Sequence, residues 1–283
     1  MVVEARDDRL RPRQNGRDRP DTGAGALHGG PAGASPGSCR TANALTADPE
    51  KRAADAGEMP RPACPICGGT AFGPGPKGRM APNGSLPRCA GCQSMERHRI
   101  FRIMFDRLGP ESFSSWSALQ FSPDPTIDPA WFRHHELSVF GGPESLDIQS
   151  IDRPDGAYDL VACSHVLEHV GDDRAALGEL LRIVAPHGLL YLAFPDPFRE
   201  AVTRDWGFPK PEKHGHWRVY GSDVVERFKS WIPSQPVLAY RGQDPVTGEW
   251  EGAFLLPRSP ERHRWAVNRL GGAVSLFSGP ALT

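Results

Sequence analysis

From about residue 115 the chain alternates short apolar runs with longer amphipathic stretches. The runs SALQF, ELSVF, DLVACS and GLLYLAF are flanked by turn residues and are too short to be buried helices. They read as strands of a parallel sheet buried on both faces. Between the last two lies DDRAALGELLRIVAPHG, where Leu177, Leu180, Leu181 and Val184 fall at i, i+3, i+4 and i+7. That spacing gives one apolar helix stripe, closed by Pro186 and Gly188. Strand–helix–strand units of this length imply right-handed crossovers and a three-layer α/β sandwich. Upstream, SMERHRIFRIMFDRL places Ile100, Phe101, Met104, Phe105 and Leu108 on one face, an amphipathic helix that Gly109-Pro110 ends. Downstream, SDVVERFKSWI reads as a helix with Ser222 as N-cap, and PVLAYRG and GAFLLP as a late antiparallel strand pair. Residues 258–283 carry little pattern, and 261–283 are read as a C-terminal tail.

Residues 1–59 break this regime. They contain no Phe, Tyr, Trp or Ile and mix Gly, Pro, Ala, Arg and Asp without periodicity, which predicts a disordered tail that cannot offset chain entropy by burial. Cys39, alone in that tail, is expected to be a free thiol. The net charge of −1 over 283 residues leaves no global footprint of a nucleic-acid binder. No apolar run approaches the roughly 20 residues that span a bilayer, and the N-terminus lacks an apolar signal core. The expectation is a cytoplasmic protein with no membrane partner.

Four of the six cysteines sit in two Cys-x-x-Cys pairs, Cys64/Cys67 and Cys89/Cys92, within a module spanning residues 60–95. Each pair makes a tight knuckle that points two thiolates at one ion, and two knuckles supply the tetrahedral sulfur set that Zn2+ prefers. Gly68, Gly69 and Gly91 permit the turns. With four cysteines the shell is full, so the expected zinc is structural, in a zinc ribbon. The run Arg97-His98-Arg99 that follows is read chiefly as the solvated face of the connecting helix at 96–110.

The block YDLVACSHVLEHVGDDRAALGELLRIVAPHGLLYLAF resembles the centre of class I S-adenosylmethionine-dependent methyltransferases (type 11-like), through Tyr158-Asp159, Leu167-Glu168-His169 and Pro186-His187-Gly188 in order. Ser94-Met95-Glu96-Arg97-His98-Arg99 is similar to the join found in a subgroup that carries a four-cysteine zinc ribbon before the methyltransferase domain. The resemblance covers about residues 62–257 and implies a Rossmann-like methyltransferase domain over 96–260 that uses S-adenosyl-L-methionine. Ligands of open α/β sheets bind beyond the carboxyl ends of the strands, at the topological switch point. The resemblance therefore assigns the cofactor to Phe121, Ser122, Pro123 and Asp124 after the first strand and to Cys163, Ser164 and His165 after DLVACS. Asp147 and Ile148 would lie near the adenine, with a turn-capping role for Asp147 as the alternative. Two departures stand out. Ser122-Pro123-Asp124-Pro125 replaces a glycine-rich loop, and Phe140 stands where an acid that binds the ribose is usual.

Methyl transfer needs a base only when the acceptor must lose a proton. The candidates are His165 and the alternating trio His216, Arg218 and Tyr220, which an extended segment would point the same way, suiting a small polyhydroxyl or anionic acceptor. Packing around Trp217 explains that cluster almost as well. His165, Glu168 and His169 share a helix face at i, i+3 and i+4, where a second metal or a capping role fits, and capping of the loop is the simpler expectation. A catalytically silent binding module and an RNA methyltransferase guided by the ribbon are the competing readings.

Overall fold

The computed structural model describes residues 62–278, so the tail predicted over residues 1–59 and Cys39 lie outside the described residues. Two short strands, β1 (Phe72–Gly73) and β2 (Arg88–Cys89), pair antiparallel within the cysteine module. Helix α1 (Glu96–Leu108) then leads into the sheet. Its strands are β3 (Ser117–Phe121), β4 (His134–Ser138), β5 (Tyr158–Ser164) and β6 (Val184–Ala193), with α2 (Asp173–Arg182) joining the last two. A separate two-stranded ribbon, β7 (Arg204–Lys210) and β8 (His216–Val219), is followed by α3 (Val224–Trp231). The chain closes with β9 (Val237–Gln243), β10 (Trp250–Pro257), α4 (Pro260–Leu270) and β11 (Val274–Ser278).

The seven-stranded sheet has the order β11-β9-β10-β6-β5-β3-β4. Strands β4, β3, β5 and β6 are parallel, and β10, β9 and β11 add antiparallel neighbours. This is a Rossmann-like α/β fold, with the parallel strands extended by antiparallel ones. One apolar core lies on the α2 and α3 side and includes Leu177, Leu180, Val224 and Phe228. The other includes Phe101, Phe105 and Tyr191 with Ala266 and Leu270 of α4, so the sheet is covered on both faces. The stretch read as a C-terminal tail supplies α4 and the edge strand β11. Its helix carries too few apolar positions to show as a stripe, because only Ala266 and Leu270 are buried.

Several local expectations are revised. The β3–β4 crossover holds only a single 3-10 turn, Pro129–Trp131. Pro123, Pro125 and Pro129 remove amide donors and bias the preceding residues away from helix, so no α-helix forms there. The segment SLDI, carrying Asp147 and Ile148, is a loop. Helix α3 is N-capped at Asp223, without a capping side-chain bond, rather than at Ser222. Asp159 accepts from the Ser117 amide at 2.9 Å, tying β5 to the start of β3, and Tyr158 and Arg153 both bond to Glu136 on β4. Gly188 admits no side chain, since a Cβ there would lie 2.8 Å from the Asp159 carbonyl oxygen. Among the described residues no helix is long and apolar enough to cross a membrane.

Candidate active site and cysteine centre

The four cysteine sulfurs converge. Their ligating atoms lie within 4.8 Å of one another, with Cys64–Cys92 at 3.6 Å and Cys67–Cys89 at 3.5 Å between sulfurs. A disulfide would bring sulfurs to about 2.05 Å. The observed spacing is near the roughly 3.8 Å edge of a tetrahedron built on Zn–S distances of about 2.3 Å. Knuckle geometry comes from the backbone, with the Gly68 amide donating to the Cys64 carbonyl and the Gln93 amide to the Cys89 carbonyl. Gly68 takes a left-handed φ of 74°, whereas Gly69 is required for space, since a Cβ would meet the sulfurs of Cys67 and Cys89 at 3.3 and 3.5 Å.

The Ser-x-Glu-Arg-His-Arg segment fastens this module to the sheet, and most of it is not a solvated face. Ser94 Oγ lies 3.3 and 3.2 Å from the sulfurs of Cys64 and Cys92. Glu96 takes two bonds from Arg79, and the Met95 amide donates to His98 Nδ1. Arg99 is fully buried and makes a bidentate pair with Asp244, both bonds 2.7 Å, while its remaining nitrogen donates to the Pro87 and Ser94 carbonyls. Burial, helped by the neighbouring Arg97, pushes the His98 imidazole down to about 3. A basic-run reading fails here because a charged side chain becomes core once it finds a full set of partners. Spacing alone does not reveal that partner, which is far along the chain at Asp244.

The chain reverses direction across the sheet between β3 and β5, and the ends of those strands hold two non-glycine residues in the left-handed region. Ser122 has φ 70° and His165 has φ 55°. Such outliers cost on the order of 1–3 kcal/mol and cluster at ligand sites. Gln120 holds the first loop, donating to the Ser122 carbonyl at 3.0 Å while its own oxygen meets His135. Asp124 Oδ1 caps its own turn by accepting from the Thr126 amide at 2.8 Å. Asp124 still reaches the crevice electrostatically, acting on both His98 and Tyr191. Six of the eight buried polar atoms without a hydrogen-bond partner among the described residues belong to His98, Thr126, His165, Glu168 and Tyr191, with Asp124 acting on both His98 and Tyr191 and Glu168 on His216. Buried polar groups are almost always paired, so this concentration marks the place where a polar ligand belongs.

The remaining candidates divide. Ser164 and Cys163 end β5, and burial, reinforced by the Glu168 charge, pushes the Cys163 thiol up. Phe121 and Ile148 are buried in the core cluster on the α2 and α3 side. Asp147 is exposed and caps a turn by accepting from the Gln149 amide. Phe140 is fully exposed, and Glu136 is committed to Arg153 and Tyr158 rather than to a ribose. Alternation along β8 does not produce a shared catalytic face. Arg218 is buried, bonded to Asp205 at 2.8 Å and to the Val170 and Gly171 carbonyls, and Tyr220 donates to Asp173 at the start of α2. Arg218 thereby locks β8 onto the loop after β5, and Tyr220, just past β8, ties the chain to α2. His216 alone of the trio faces the crevice side, its ring 4.5 Å from that of His169. Burial, with the imidazoles of His169, His214 and His165, pushes His216 down against the pull of Glu168. Glu168 caps nothing, contrary to the simpler expectation, since both its oxygens lack hydrogen bonds. An open cavity of about 420 Å3 lined by Leu181, Ile232 and Pro257 lies at the far end of the sheet, away from this chemistry.

Residues 103–227 match the sequence model of a family described as "Methyltransferase domain". That span, under half of the chain, carries the methyltransferase domain, and the match supports an S-adenosylmethionine-dependent methyltransferase, as the central block implies. No curated protein matches the chain. Among solved structures, the chain is similar to Burkholderia thailandensis 1,6-didemethyltoxoflavin-N1-methyltransferase at 13% identity and TM-score 0.42, over 58% of this chain and 79% of that one. A Thermotoga maritima methyltransferase titled a possible histamine N-methyltransferase follows at 12% identity and TM-score 0.37, over 57% and 91%. An Aquifex aeolicus S-adenosylmethionine-dependent methyltransferase stands at 13% and 0.37, over 56% and 89%. Likenesses this distant carry nothing about the acceptor of this methyltransferase domain.

Proposed function

We propose that the domain methylates a hydroxyl or amine of a small polar acceptor, in the crevice beyond β3 and β5. The observation that carries this reading is the coincidence, at one switch point, of two strained left-handed residues and of the unpartnered buried polar atoms. S-adenosylmethionine, when bound, supplies an electrophilic methyl on its sulfonium sulfur. The residues that fit it are the Ser122–Asp124 turn, Ser164, Tyr191 and His98. Asp124 offers a carboxylate to an ammonium or ribose hydroxyl, and His98, whose Nδ1 already accepts the Met95 amide, offers an Nε2–H donor.

His165 is the proton acceptor in this reading. Its Nδ1 lies 3.3 Å from Glu168 Oε1 without hydrogen-bond alignment, and its Nε2 has no partner and is free to take the proton. His165 takes its left-handed backbone directly after β5, and its side chain stays partly exposed. An anionic acceptor loses its support, since Arg218 is engaged by Asp205 and Asp173. The four cysteines fit a structural Zn2+ and would hold it as a complete sulfur shell, supplying rigidity rather than reaction chemistry.

Calorimetry with S-adenosylmethionine tests the site. Binding by the wild type, weakened about tenfold or more in Asp124→Ala through loss of a charge-assisted bond, supports it. Absence of binding at millimolar cofactor overturns it and leaves a methyltransferase fold used as a binding module.

A further inference from the structure

We infer that Glu168, His169 and His216 form a binding site for a divalent transition-metal ion, separate from the cysteine centre. The three ligating atoms lie within 4.8 Å of one another, although His169 and His216 come from different elements. His169 ends the short turn after β5, and His216 opens β8. The lock made by Arg218 on the Val170 and Gly171 carbonyls holds those two elements together, so the juxtaposition is built and not incidental.

The decisive observation is the carboxylate. Glu168 is completely buried, and neither oxygen has a hydrogen-bond partner. His165 approaches it at 3.3 Å without hydrogen-bond alignment. A carboxylate out of water carries a large desolvation cost unless something of opposite charge faces it. His169 is exposed and His216 half-buried, which gives an ion a path from solvent to the buried oxygen. Two imidazoles and one carboxylate suit Zn2+, Fe2+, Co2+ or Ni2+, whereas Mg2+ and Ca2+ prefer oxygen alone. Three protein ligands leave a coordination position open, as catalytic sites do and filled structural sites do not.

This inference does not rest on the proposed methyl transfer, because metal binding is read without cofactor or acceptor. Titration of the purified, zinc-loaded protein with Co2+ is the test. One added equivalent is expected, showing weak ligand-field bands without sulfur-to-cobalt charge transfer, which separates it from exchange into the cysteine centre. Glu168→Gln and His216→Ala are each expected to weaken that equivalent by at least about 100-fold, more than the roughly 10–100-fold lost with an outer-shell partner. Should Glu168→Gln fail to fold, His169→Ala and His216→Ala decide the matter, since both remove side chains outside the core. No extra equivalent at millimolar Co2+, sulfur charge-transfer bands for all bound cobalt, or affinity unchanged in both histidine variants would each overturn the site.

Discussion

Replacing Arg99 by methionine or Asp244 by leucine removes one half of an ion pair in which both side chains are fully buried. The partner left behind has nowhere to go. Without Asp244, the Arg99 guanidinium keeps only the two carbonyls of Pro87 and Ser94. Without Arg99, Asp244 keeps only the Thr247 amide and hydroxyl, at 3.0 and 2.8 Å. Breaking a buried pair from one side typically costs about 3–5 kcal/mol, a large share of the roughly 5–15 kcal/mol that holds a domain together. The double variant leaves no uncompensated charge. It should lose only the secondary hydrogen bonds, at about 1 kcal/mol each. Urea unfolding of the zinc-loaded protein measures all four corners of the cycle, from midpoints and slopes. The expected result is two singles near 3–5 kcal/mol and a coupling of about 3 kcal/mol, with the double far milder than their sum. Singles that add within about 0.5 kcal/mol would refute the reasoning, because independent sites behave that way.

Three further outcomes follow from the same geometry. Tyr220→Phe should lower stability by about 1–3 kcal/mol through the lost bond to Asp173, yet leave S-adenosylmethionine affinity unchanged by calorimetry, and a large loss of affinity would return Tyr220 to the site. His98 is held neutral down to about 3 while the unfolded chain takes up its proton near 6.5, so stability falls as pH drops below that value, by up to about 1.4 kcal/mol per pH unit. His98→Gln should flatten the urea midpoint between pH 6.5 and 5 relative to wild type, and parallel curves would count against the buried neutral imidazole. Cys64→Ser should abolish stoichiometric zinc in the purified protein by elemental analysis and destabilise the ribbon, whereas full zinc retention would dismiss the four-sulfur shell.

Local pattern determined much of this protein. The period-3.6 stripe of α1 and that of α2 through Leu181, the four parallel strands and the paired knuckles were all legible, because burial of a stripe and chelation by Cys-x-x-Cys depend on neighbours a few residues apart, whereas Val184, read into the α2 stripe, opens β6. The proline-rich loop after β3 was legible as an anomaly, and the prolines themselves explain why no helix follows it. What pattern could not carry were pairings across the chain. Arg99 meets Asp244 from 145 positions away, which turned an apparent solvated face into a buried clasp. Alternation on β8 was real, yet Asp173 and Asp205 claim Arg218 and Tyr220, so only His216 remains at the crevice. Glu168 shows why tertiary structure has the last word. In sequence it is one residue of a Leu-Glu-His turn, and only the fold removes every hydrogen-bond donor from its carboxylate and brings His216 to it, since burial and charge compensation are properties of surroundings that no single segment contains.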